Sequence, residues 1–264
     1  MKIGIVIINW NGLNLLKKYL NEIILNSDNS TVYIIDNNSS DESILYVREN
    51  YKEVKIISLD KNYGFAEGYN KGLKEVEENY VCIINNDILV TKDWLDPIRK
   101  KFKKDPESII QPTILDINNT EYFEYAGASG GFIDKYGYPF CRGRIFDTIE
   151  KDNGQYNDSK IFWASGACFF ISKNIFNKIG GFDKSFFAHM EEIDLCWRAF
   201  NLGFECYSVT SSKVFHVGAA TIKRNSKKTY LNYRNSLIML TKNLPLNNLL
   251  PTLFTRLILD IISS

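Results

Sequence analysis

The sequence is poor in the features that would place it in several large protein classes. It has no Cys-x-x-Cys pair, and its five cysteines (Cys82, Cys141, Cys168, Cys196 and Cys206) are odd in number. That argues against both a disulfide framework and a zinc site, and fits buried free thiols in a reducing compartment. A G-x-G-x-x-G turn after the first apolar run is missing, as is any G-x-x-x-x-G-K-[ST] loop, so dinucleotide binding and P-loop phosphoryl transfer lose their usual warrants. Basic residues are not interleaved with aromatics, which leaves nucleic-acid binding without its footprint. Repeats and low-complexity tracts are absent. Apolar runs are short. Ile3–Ile8 is followed by polar Asn9 and Asn11, and 244–262 is broken by Pro245, Pro251, Arg256 and Asp260. The first reads as a buried strand and the second as an interfacial or partner-facing segment, neither as a membrane span. The expectation is a cytoplasmic protein.

The near-neutral formal charge of +1 conceals an asymmetry. From Lys213 to the end there are eight Lys or Arg against the single acid Asp260, so this segment carries about +7 and the rest about −6. Three readings of the basic, apolar end are open: a solvated helical face, a homodimer contact, or a peripheral contact with the anionic inner face of the plasma membrane.

Along the first hundred residues, apolar runs alternate with amphipathic ones. Strands are expected over 2–8, 31–35, 54–59 and 80–84. Helices are expected from the spacing of Leu13, Leu16, Leu20, Ile23 and Ile24 and again over 66–78. Such alternation predicts an α/β fold with a mostly parallel sheet covered by helices, and ligands bind such sheets beyond the carboxyl ends of the strands. The polar clusters at 9–11, 36–41 and 85–87 fall at those ends. Residues 113–160 have weak periodicity, as an insertion or flap would. Further on, a strand over 161–171, a helix over 191–201, two apolar stretches (204–209 and 214–217) and a basic helix over 227–243 complete the pattern.

Three places hold candidates for chemistry. Asp87, after the strand ending Ile84-Asn85-Asn86, suits a hard divalent cation or equally the cap of a helix starting near Lys92. Glu191, Glu192 and Asp194 open a helix, where acids complement the dipole and Asp194 is spaced to pair with Arg198; acids beside an aromatic cluster also suit a general base. His216, at the end of a short strand, is either structural or a ligand.

Taken in order, Val6–Gly12, Ile34–Asp41, Asn62–Asn70, Ile84–Asp87, Gly166–Cys168, Gly181–Asp183, Glu191–Arg198 and His216–Gly218 resemble glycosyltransferase family 2, particularly its rhamnosyltransferase-like members. The resemblance implies a GT-A fold, with a nucleotide-sugar-binding half (1–111), an acceptor-binding and catalytic half (112–225) and a basic, apolar C-terminal segment (226–264). It implies an inverting transfer of a hexose, rhamnose being one candidate, from a UDP-, dTDP- or GDP-linked donor to a glycan or lipid-linked acceptor in cell-surface polysaccharide synthesis. Asn9, Asp36, Asn62, Gly64, Asn70 and Asn86 would form the nucleotide-sugar pocket, and Trp163, Glu191 and Asp194 would meet the acceptor. Asn85-Asn86-Asp87 stands where the family has its metal-binding D-x-D, so Asp87 would hold Mn2+ or Mg2+ with His216. The base would be Glu192, with Asp194 the alternative. The family has Glu-Asp at this pair where the chain has Glu191-Glu192. A misplacement of about 1 Å can cost roughly 10²-fold in rate, so a catalytically impaired sugar-nucleotide-binding or scaffold protein is the second reading.

Overall fold

The structure, a computed structural model, describes residues 1–125, 127–186, 188–218 and 226–263. Its centre is a nine-stranded sheet. Strands β1 (Ile3–Asn9), β2 (Ser30–Asp36), β3 (Lys55–Ser58) and β4 (Tyr80–Ile84) are mutually parallel in the order β4-β1-β2-β3. The other side adds β5 (Ile88–Val90), β6 (Ser108–Asp116), β11 (Ser159–Ile161), β12 (Cys168–Ser172) and β13 (Glu205–His216). There β12 runs antiparallel between β4 and β6, β13 lies parallel to β6, and β5 and β11 pair antiparallel with β13. β6 straddles the 111/112 boundary expected from sequence, so one sheet runs through both halves.

Strand parity assigns each side chain to a layer. Ile3, Ile5 and Ile7 of β1, Cys82 and Ile84 of β4, and Cys168 and Phe170 of β12 face one way. They pack under α1 (Leu13–Leu25), α2 (Ser43–Asn50) and α4 (Leu95–Lys104). Val6, Val81, Ile83, Phe169 and Ile171 face the opposite way, toward α3 (Gly64–Gly72), α5 (Lys173–Lys178), α6 (Glu191–Asn201) and α7 (Ser226–Asn243). Covering on both faces explains why β1 and β4 read as unbroken apolar runs without polar alternation. All five cysteines are buried free thiols.

The expected helix over 66–78 is shorter, because its glycines serve close packing instead of length. A Cβ on Gly68 would stand 2.4 Å from Ile8 Cδ1 and one on Gly72 2.2 Å from Ile35 Cδ1, so α3 lies directly on β1 and β2. Glycine there weakens the helix, which ends at Gly72.

The strand expected over 161–171 is two strands. Between β11 and β12 the chain leaves the sheet through small residues, and the buried Gln111 holds it by accepting from the Ser165 amide at 2.7 Å and donating to Gly127 O at 2.8 Å. The two apolar stretches 204–209 and 214–217 form one strand, β13, with an irregularity between Val209 and Lys213. Polar residues interrupt its hydrophobic pattern there, and Ser212 Oγ donates to Trp94 O at 2.7 Å.

Residues 117–158 add two small hairpins, β7 (Gly131–Ile133) with β8 (Pro139–Cys141) and β9 (Arg144–Ile145) with β10 (Thr148–Ile149). The basic C-terminal segment is a helical pair, α7 and α8 (Leu246–Ser263). α7 is no solvated helix: Asn235, Met239, Leu240 and Asn243 are buried. Lys223 and Arg224 lie outside the described residues. Among the described residues no helix is long and apolar enough to cross a membrane.

Candidate active site

The carboxyl ends of β1, β2 and β4 converge with the end of β13 and the start of α6. At β1, Asn9 is fully buried. Its Nδ2 donates to Ser43 Oγ at 2.9 Å and Ser39 Oγ at 3.2 Å, and its Oδ1 accepts from Asn86 Nδ2 at 3.2 Å. Asn9 and Asn86 thus brace three strand ends together. The Asn9 side chain, expected at the nucleoside, is engaged by these protein partners. Asp36, buried at the end of β2, takes the Ser39 amide on Oδ1 at 3.0 Å.

Sequence reading passed over Asn37. Its Oδ1 accepts from the Tyr63 amide at 2.8 Å, and its Nδ2 donates to Asn62 Oδ1 at 3.0 Å and Gly64 O at 2.9 Å. This residue hangs the 62–64 loop beside the end of β2. Gly64 sits at φ 73°, a left-handed conformation that favours glycine. Asn62 is exposed at the rim. Asn70, expected in the nucleotide-sugar pocket, acts as a clamp. It bonds both the amide and the carbonyl of Phe182, at 2.9 and 2.8 Å, and so ties α3 to the 181–182 turn. Trp10 was also missed: the other three tryptophans, Trp94, Trp163 and Trp197, are buried, yet this ring is 58% exposed beside Asn9.

Asp87 follows β4, and β5 carries its neighbour Ile88 into register with His216 of β13. The helix cap is ruled out, since α4 begins only at Leu95. His216 Nε2 stands 3.1 Å from Asp87 Oδ1, and His216 Nδ1 stands 3.6 Å from Glu124 Oε1. Burial opposes charge on this imidazole, but the Asp87 and Glu124 carboxylates outweigh it and push its pKa up to about 10. A proton therefore holds the pair together. The donor set fits a divalent cation: carboxylate and imidazole both ligate Mn2+, and Asp87 Oδ1 is a buried oxygen with no hydrogen-bond partner besides that ion pair. Among the described residues no cluster of three or more His, Cys, Asp or Glu makes a complete cage. A cation held by Asp87 and His216 would therefore draw its remaining ligands from diphosphate oxygens and water.

The acids of α6 lie alongside. Asn85 N donates to Ala167 O at 2.9 Å, and the neighbouring Gly166 amide donates to the Glu192 carboxylate. A Cβ on Gly166 would lie 3.5 Å from the Glu192 carboxyl carbon, so the carboxylate rests on this turn. His189 and Met190 enter the helix at φ 70° and 73°, two consecutive left-handed residues without glycine. Such strain persists only where the surroundings enforce it. Here Asn235 of α7 does so, donating to the Ala188 and His189 carbonyls at 2.8 Å each.

Glu191 is buried. Burial, then the charge of Glu192, pushes its pKa up to about 8, while burial also raises Glu192. Glu191 therefore keeps its proton near neutrality. Hydrogen bonds from Gly166 and the backbone at the helix start favour charge on Glu192. Ionising Glu191 costs the folded state more than the unfolded one, so its contribution becomes increasingly destabilising as pH rises from about 4.5 to about 8. Glu191→Gln is expected to be more stable than wild type by a margin that grows across that window and levels off above it, reaching at most about 5 kcal/mol. Paired thermal melts at pH 5, 7 and 9 check this.

Asp194, expected to meet the acceptor, is fully buried, accepts from Arg198 Nε and from Asn243 Nδ2 at 2.8 Å each, and so joins α6 to α7. Trp163, expected to meet the acceptor, is buried: its indole donates to Phe132 O at 2.7 Å and lies against Gly131, whose Cβ would be 2.0 Å from Trp163 Cε2. Gly127-Ala128-Ser129-Gly130-Gly131 spells a nucleophile-elbow pattern that sequence reading overlooked, but Ser129 is wholly buried.

An α/β domain whose central sheet is covered by helices on both faces, with polar and acidic residues gathered at the carboxyl ends of its strands beside a carboxylate-opened helix, has the fold of the GT-A glycosyltransferases. The chain belongs to glycosyl transferase family 2, whose profile matches residues 4–180. It is 25% identical over 88% of its length to the low-salt glycan biosynthesis hexosyltransferase Agl10 of Haloferax volcanii, covering 73% of that protein. It is 22% identical over 74% of its length to the N-acetylglucosaminyl-diphospho-decaprenol L-rhamnosyltransferase of Mycobacterium tuberculosis, covering 69% of it. Among solved structures it superposes on GalNAc-T7 with UDP, GalNAc and Mn2+ at a TM-score of 0.72 and 16% identity, over 91% of this chain and 48% of that one. The family match ends before α6, so Glu192 and His216 rest on the geometry above.

Proposed function

We propose that the chain is a metal-dependent, inverting hexosyltransferase that moves a sugar, rhamnose among the candidates, from a UDP-, dTDP- or GDP-linked donor to a glycan or lipid-linked acceptor in cell-surface polysaccharide synthesis. The observation that carries this reading is the chain of contacts from Asp87 and His216, through Asn85 and Ala167, to Gly166 and Glu192. It supports reading Asp87 with His216 as the cation-binding pair and Glu192 as the base, because the three lie side by side. The relatives named above support the hexosyl and rhamnosyl alternatives.

In this mechanism Asp36, the Asn62–Gly64 loop and the exposed Trp10 receive the nucleoside. Mn2+ or Mg2+ at Asp87 and His216 would neutralise charge on the departing diphosphate. The acceptor hydroxyl oxygen forms a bond to the anomeric carbon from the face opposite the diphosphate as the bond to diphosphate breaks, which inverts the configuration. Glu192 accepts the hydroxyl proton. Glu191, carrying its own proton, keeps a second negative charge away from the base. A cavity of about 390 Å³, lined by residues that include Tyr125, Tyr138, Met190 and Tyr233, opens beside the start of α6 and suits the acceptor.

A panel of UDP-, dTDP- and GDP-sugars with Mn2+, assayed for transfer and donor hydrolysis, is the test. Turnover of at least one donor, abolished by chelator, is expected. Calorimetric donor binding without any turnover would favour the impaired scaffold that the Glu191-Glu192 pair raises, and neither binding nor turnover would sink the proposal.

A further inference from the structure

We propose that Glu124 is the positioning residue of the cation site, accepting a hydrogen bond from His216 Nδ1 and so aiming Nε2 at the cation. The inference rests on the reading of Asp87 and His216 as cation ligands. The three side chains stand in a row: Asp87 Oδ1 lies 3.1 Å from His216 Nε2, and Glu124 Oε1 lies 3.6 Å from His216 Nδ1. The two ring nitrogens of an imidazole point apart. A cation at Nε2 beside Asp87 is therefore out of reach of Glu124, in keeping with the lack of any three-residue His, Cys, Asp or Glu cluster among the described residues. A cation on the Nε2 lone pair leaves the ring proton on Nδ1, and that N–H faces Glu124. An ordinary N–H···O contact of roughly 3.0 Å needs only a small turn of either side chain from here.

The fold holds Glu124 in that place from two sides. His216 stands opposite Asp116 of β6 in register, and Glu124 N donates to Ile114 O of the same strand at 3.0 Å. Leu115 and Phe123 form an antiparallel bridge, so the 122–124 segment runs along β6 on the edge away from β13. One strand thus spaces the ligand and the acid that orients it. On the other side, a Cβ on Gly218 would stand 2.6 Å from Glu124 Oε1, the same oxygen that faces His216. Gly218 sits at φ 65°, where glycine is favoured, and lets the chain leaving β13 close over the carboxylate. Glu124 is only 2% exposed, and burying a carboxylate is costly unless a partner meets it. A side chain confined in this way loses little rotamer freedom when the cation arrives. With a single acid in Asn85-Asn86-Asp87, the imidazole is half of the protein's ligand set, so its aim carries weight.

Calorimetric titration with Mn2+ alone needs no turnover and is the first test. Glu124→Ala is expected to bind Mn2+ about 10- to 100-fold more weakly than wild type. Glu124→Gln, whose amide oxygen still accepts from the Nδ1–H, is expected to lose less. The second readout is the ring itself. The chain has two histidines, so imidazole nitrogen NMR spectra with Zn2+, a diamagnetic stand-in for Mn2+, resolve His216. Wild type is expected to show the ion on Nε2 and the proton on Nδ1, and Glu124→Ala a mixture of both arrangements. A merely structural role would lower the melting temperature without exchanging the two nitrogens. A wild-type spectrum with the ion on Nδ1 overturns the inference. So does wild-type Mn2+ affinity in Glu124→Ala when Asp87→Ala has lost it, a result that leaves the cation site standing. Absence of Mn2+ binding by wild type overturns the inference and the cation site together.

Discussion

Glu192→Gln is expected to lower kcat by about 10³-fold while donor affinity stays within about twofold of wild type. The amide is nearly isosteric, and its carbonyl oxygen still accepts from the Gly166 amide, so the start of α6 keeps its geometry. What it loses is the capacity to take the acceptor's proton. Removing the Glu192 charge also removes the second cause of the high pKa of Glu191, which should fall from about 8 toward the value burial alone imposes. The pH dependence of unfolding in Glu192→Gln therefore moves to lower pH, a signature that a merely misfolded variant lacks. Glu192→Asp withdraws the carboxylate by about 1 Å from the position Gly166 supports, and about 10²-fold of the rate should go with it. Wild-type activity in either variant would remove Glu192 from the mechanism, since Asp194, locked between Arg198 and Asn243, has no means to replace it.

The part of this site that was legible in sequence is the part carried by local patterns. β1 and β4 announce themselves as apolar runs, and the polar residues after them mark the ligand-binding edge because a strand's last residues have nowhere else to point. Asp87 and His216 stand at such ends, and the acids at 191 and 192, which open α6, lie beside them. What was not legible has a common origin. Asn9, Asn70, Trp163 and Asp194 are polar or aromatic residues in informative positions, and their side chains are held by partners distant in sequence. Asn70 binds Phe182, Trp163 binds Phe132 and Asp194 binds Asn243. Periodicity cannot reveal a partner 31 to 112 residues away. Asn37 was overlooked for the converse reason. It sits between recognisable neighbours, and its importance appears only when the 62–64 loop folds back onto it. The interrupted strand β13 shows the same limit, because a polar bulge inside one strand reads as a gap between two.

Asp87→Ala is expected to lower kcat/KM by about 10³-fold and to abolish the dependence of donor binding on Mn2+. The family's usual acidic pair is reduced here to one carboxylate, so no second acid of the Asn85-Asn86-Asp87 segment can compensate, and His216 alone is a weak site for a hard cation. Calorimetric titration with Mn2+ alone separates loss of the ion from loss of activity. The metal-free protein provides an independent check through His216. Its folded-state pKa, about 10, lies above the ordinary 6.5. The stability it contributes is therefore complete below about pH 6.5 and disappears as pH rises through about 10. In Asp87→Ala the imidazole keeps Glu124 but loses its nearer carboxylate partner at 3.1 Å, so this pH-dependent share of stability should shrink. Thermal melts in chelator at pH 6 and pH 9 should show a smaller difference for the variant than for wild type. An unchanged difference would mean that Asp87 and His216 are not coupled, and the cation site built on them would fall with that result.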